Sequence, residues 1–69
     1  MNEREKDKIR IATRVIATGT IHDSDYNELG YDPYKFSYYG KPSDSDVKEK
    51  CARILSDAII ALMESKEID

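Results

Sequence analysis

The residues that could do chemistry gather between His22 and Tyr39. Asp23-x-Asp25-x-Asn27 spaces three oxygen-bearing side chains as the opening of a calcium loop does, where ligands must alternate around a tight turn. The match ends there. Glu28 stands where that loop needs glycine, and Tyr34 where it needs the closing bidentate glutamate, so the triplet reads as a capping and turn cluster. His22, beside Asp23 and near Asp25 and Asp32, has no spaced second ligand with which to build a zinc site and reads as a surface histidine near a helix start. Serines and threonines are plentiful but lack a base to activate them. The lone Cys51 lies on an apolar stripe, where a buried, reduced thiol is expected rather than a nucleophile. These residues predict no enzyme, no metal site and no cofactor.

The same stretch carries a different kind of chemistry. Tyr26, Tyr31, Tyr34, Tyr38 and Tyr39, with Phe36, are interleaved with Asp23, Asp25, Glu28, Asp32, Asp44 and Asp46. Tyrosine offers a large contact area at low entropic cost and keeps a polar tip, which suits it to binding patches. An acidic aromatic surface of this kind fits the basic face of a protein partner. The partner-binding residues expected from the sequence are Asp23, Asp25, Tyr26, Glu28, Tyr31, Asp32 and Tyr34. Tyr26, Tyr31 and Tyr34 should lie partly outside, with Phe36 and one of Tyr38 or Tyr39 finishing the core.

Two long helices must hold this segment. Lys41-Pro42-Ser43-Asp44-Ser45-Asp46 writes a helix start, since Ser43 and Asp46 can cap backbone N–H groups and the acids oppose the positive end of the helix dipole. From there Val47, Cys51, Ile54, Leu55, Ala58, Ala61 and Leu62 recur at spacings of three and four, the stripe of a helix over about 44–66. Residues 3–18 end in Ile9, Ala12, Val15 and Ile16, which suit a helix, although Ile9, Ile11, Thr13 and Val15 also alternate as a strand would. The charged lead-in and Gly19 favour the helix. Gly19, Gly30 and Gly40 each suit the left-handed residue that follows a helix, and Asp32-Pro33 reads as an N-cap with proline at the first helical position. The expected fold is all-α: one small helical domain over 1–69, with antiparallel helices at about 3–18 and 44–66 joined by a Tyr-rich segment with one or two short helices. The alternative is an α+β arrangement with a short strand near 35–39.

From Ala58 to Met63 the second helix is apolar on every side, and a 69-residue chain offers no core large enough to cover it. Packing on the first helix explains the stripe but leaves Ile59, Ile60 and Met63, which are expected to form a self-association seam in a homo-dimer or higher oligomer.

The net charge of −3 is concentrated in the middle, where Lys35 and Lys41 face the six acids named above. That balance argues against general nucleic-acid binding, although Lys6, Lys8, Arg10 and Arg14 leave a local basic patch on the first helix. A charged N-terminus and the lack of any long apolar run argue against secretion and membrane insertion and, with the single cysteine, suggest a cytoplasmic protein. The expected function is a small, acidic, oligomeric interaction protein that binds and modulates or inhibits a protein partner. In general style, though through no family motif, it resembles phage or mobile-element proteins that inhibit host factors. Two alternatives remain: an oligomeric binder of a nucleotide-like ligand using tyrosines with Arg4, Arg10 or Arg14, and a nucleic-acid accessory protein using the first helix.

Overall fold

The computed structural model describes the backbone of residues 2–68 and the side chains of residues 2–65. It contains α1 (Glu3–Thr18), α2 (Asp23–Glu28), a 3-10 turn (Pro33–Lys35), α3 (Phe36–Tyr39) and α4 (Asp44–Ile68), with no strand among the described residues. Residues 9–18 and 35–39, the two segments with strand character, are both helical apart from Lys35, which closes the 3-10 turn.

In α1 local signals outweigh the β-branched side chains. Asn2 Oδ1 accepts the Glu5 N–H at 2.9 Å, and Glu3 and Glu5 place negative charge in the first turn. The Thr13 and Thr18 hydroxyls donate to the carbonyls one turn back, at 2.7 and 2.8 Å. Gly19 ends the helix with φ 74°, and its N–H donates to Val15 O at 2.8 Å.

The connection is held by caps at almost every step. Gly30, at φ 99°, is the left-handed residue of a full Schellman motif: its N–H donates to Asn27 O at 3.1 Å, and the Tyr31 N–H reaches back to Tyr26 O at 2.9 Å. The apolar contact that such motifs favour is present, since the Tyr26 and Tyr31 rings meet edge to face with centroids 6.1 Å apart. Asp32 Oδ1 then accepts the Tyr34 N–H at 3.1 Å with Pro33 at the first helical position, and Ser43 Oγ accepts the Asp46 N–H at 3.2 Å to start α4.

The two long helices pack against each other in opposite directions. Gly19, at the end of α1, lies beside Lys48 near the start of α4, whereas Glu5, Lys8 and Ile9 line a groove with Ile54, Asp57, Ala58 and Ala61. The buried core is Ala12, Val15, Tyr26, Leu29, Val47 and Cys51, with Ile11, Ile21, Tyr31, Phe36, Ile54 and Leu55 partly buried around it.

Several expectations about burial are corrected. Ile16 is 48% exposed, and Ala61 and Leu62 lie outside the core. Tyr26 is buried rather than partly outside, because Asp25, Tyr26 and Leu29 share the face of α2 that lies on the hairpin. Leu29, just past the end of α2, also fills the core. Phe36 is half-buried, and neither Tyr38 nor Tyr39 is inside: α3 is a single turn, so only its first residue reaches the core and the rest follow the turn outward.

Candidate interaction surfaces

The polar centre of the molecule is a clamp. Arg14 lies on the side of α1 that α2 covers, and its Nη2 donates to both Asp25 oxygens at 2.7 Å while its Nη1 donates to Thr20 O at 3.0 Å. Asp25 also accepts the His22 N–H at 2.7 Å, so one carboxylate joins α1, the following loop and the start of α2. Burial pushes the Asp25 carboxyl up, but the hydrogen bonds from Arg14 and His22, with the Arg14 charge, outweigh it and hold the group below its ordinary value. No buried side-chain nitrogen or oxygen lacks a partner among the described residues.

This clamp divides the residues expected to bind a partner. Asp25 and Tyr26 lie inside. Tyr31 is half-buried, with Lys50 Nζ 4.8 Å from its ring centre, and burial followed by the nearby Asp46 raises its hydroxyl pKa. Asp23, Glu28, Asp32 and Tyr34 are on the surface. Asp23 points to Lys41 at 3.6 Å while Asp25 points inward, so the calcium-like triplet does not converge. Among the described residues no three His, Cys, Asp or Glu side chains gather to hold a metal ion.

Tyr38 and Tyr39 join the surface that the sequence had assigned to Tyr34. All three rings are between 83 and 88% exposed, along a stretch of only six residues. Of the three, Tyr39 lines an open groove of about 370 Å³ together with Tyr31, Asp32, Lys35, Phe36, Lys41, Pro42 and Asp46. Asp23 is paired with Lys41, whereas no ion pair joins Glu28, Asp32, Asp44 or Asp46 to another described residue. The surface is thus aromatic, with a carboxylate excess that its own lysines do not neutralise.

The second surface is the distal half of α4. Ile59, Ile60, Leu62 and Met63 are between 50 and 60% exposed, which places the expected seam outside the core and adds Leu62 to it. The first turns of α1 lie beside Ala58 and Ala61, but Ile59, Ile60 and Met63 are on the side of α4 turned away from it, so this one neighbouring helix does not cover them.

The basic residues do not form a comparable surface. Lys6 lies 3.5 Å from Glu3, Arg10 lies 3.3 Å from Asp7, and Arg14 is held by Asp25. A groove of about 470 Å³ between the long helices carries Lys8, Lys50 and Arg53, but Asp46, Glu49 and Asp57 line it as well. Burial raises the Cys51 thiol above its ordinary pKa, and the sulfur is fully covered, so it offers no nucleophile. No described helix is long and apolar enough to cross a membrane.

The geometry defines a small all-α protein: a helical hairpin with a capped, tyrosine-bearing connection on one side and an uncovered apolar helix end. No family model matches the chain, and no curated protein or solved structure is significantly similar to it.

Proposed function

We propose that the chain is a non-enzymatic interaction protein that binds a protein partner through its connection and so modulates or blocks that partner, while self-associating through α4. The observation that carries the reading is the exposure of Tyr34, Tyr38 and Tyr39 at 83 to 88% in a chain too small to spare aromatic surface from its core. Rings held in water by a capped turn add nothing to the fold, and they are preordered for contact with another molecule. Asp32 and Asp46 line the groove beneath Tyr39, so the fitting partner face carries lysine or arginine, which can pair with the carboxylates and stack on the rings. A face built to bind nucleic acid has that character, and occupying it would be inhibitory.

The test is capture from lysate by the wild-type chain and by a Y34A/Y38A/Y39A variant whose helicity is unchanged by circular dichroism. A protein retained at low salt by the wild type, released as salt rises and lost with the variant supports the reading. Retention of the same protein by both chains, or of nothing by either, overturns it.

A further inference from the structure

The exposed apolar residues of α4 have an order that names their occupant. At about 100° per residue, Ala52, Ser56, Ile59 and Met63 fall within one narrow sector, turned away from Val47 and Cys51 and hence from α1. Their spacing of four, three and four is that of the a and d positions of a helix pair. Leu62 and the half-buried Leu55 flank this sector on one side, and Ile60 and Arg53 on the other. Each large apolar side chain that α4 exposes, Ile59, Ile60, Leu62 and Met63, therefore falls in one helix-pairing face.

That face is small at one end and large at the other. Two copies running parallel would set Ala52 and Ser56 against themselves and leave a void; running antiparallel, each copy's small residues receive the other's large ones. We propose that this face holds a second copy of the chain, with the two α4 helices antiparallel, Ala52 opposite Met63 and Ser56 opposite Ile59 of the other copy. The same register sets Leu55 beside Leu62 and lays the Arg53 stem along Ile60. Four residues that are 50 to 60% exposed offer roughly 400 Å² per copy, about 800 Å² for the pair, to which Ala52, Arg53, Leu55 and Ser56 add toward the roughly 1,200 Å² at which stable interfaces begin. The proposal rests on the self-association part of the function above and adds its direction and register.

Cysteine pairing under mild oxidation tests it, alongside the solution mass. Cys51 is fully buried, so the wild-type chain is the uncrosslinked control. An A52C/M63C variant should cross-link to a dimer, while A52C alone should not, its two copies lying 11 residues, or about 16 Å, apart along the helix pair. A52W should weaken the dimer about tenfold or more by overfilling the site, and A52W/M63A should restore it. A monomeric wild-type mass at high concentration overturns both self-association and this register, and leaves the face to a different protein. A dimeric mass with cross-linking of A52C alone, or with none in A52C/M63C, overturns the register and leaves self-association standing.

Discussion

The far half of α4 is the more apolar and the less buried. Between Ser43 and Leu55 the helix is capped, lies against α1 and buries Val47 and Cys51 completely. Between Ser56 and Ser65 it carries twice as many isoleucine, leucine and methionine side chains, four against two, but buries no residue fully. The difference arises from what each side faces: Val47 and Cys51 point into α1 and the connection folded over the near half, whereas Ile59, Ile60 and Met63 lie on the side of α4 turned away from α1. An apolar helix face states that it will be covered; the side on which its neighbours lie decides whether its own chain can do so.

Substitutions can break this contrast, beginning with the near half and the connection packed on it. Leu29→Ala empties a site that is 1% exposed and should cost about 3 kcal/mol, much of the stability of a chain this size, read as a lower denaturant midpoint at unchanged slope. Arg14→Ala leaves the buried Asp25 carboxylate without its cation and should cost about 2 kcal/mol, reduced from the fully buried case because the guanidinium is one-third exposed. Gly30→Ala forces a side chain into a left-handed turn, though into open space, and should cost about 1 kcal/mol. In the far half, Ile60→Glu should leave the monomer's stability within about 0.5 kcal/mol while dissociating the oligomer, measured by mass in solution. An equal loss of stability from Ile60→Glu and Leu29→Ala would erase the distinction between the halves.

Acid gives a finer reading of the same clamp. Because the folded Asp25 pKa lies below its ordinary value, its contribution is fully present above the usual carboxylate range and is lost as pH falls through the folded value. Stability should therefore decline in the wild type as pH falls below the usual carboxylate range, and the part of that decline due to Asp25 should be absent in Arg14→Ala.

Short-range features were legible in the sequence and long-range ones were not. Ser43, Asp32 with Pro33, Gly19 and Gly30 each act within a few residues and take their expected roles in helix punctuation, whereas Asp46 does not return the cap to Ser43 and Gly40 has a positive φ with an extended ψ of 160°. The long helices followed from periodicity. The connection misled because α2 and α3 are six and four residues long, too short for a period to show which side faces inward. Tyr26 and Tyr38 are thus indistinguishable by local sequence, and their fates were set by how the segment folds onto α1. One usable signal was present: a Schellman turn at Gly30 brings the residues four before and one after it together, which pairs Tyr26 with Tyr31. Arg14 offered no such clue, since its partner lies 11 positions away across a loop.

The division of the tyrosines has an optical consequence. With five tyrosines and no tryptophan, the chain's near-ultraviolet emission comes from phenol rings alone. Tyr26 and Tyr31 are packed among Phe36, Lys41 and Lys50, while Tyr34, Tyr38 and Tyr39 stand in water. A collisional quencher such as acrylamide samples the outer three and spares the inner two, so the unlabelled chain separates events at its surface from events in its core.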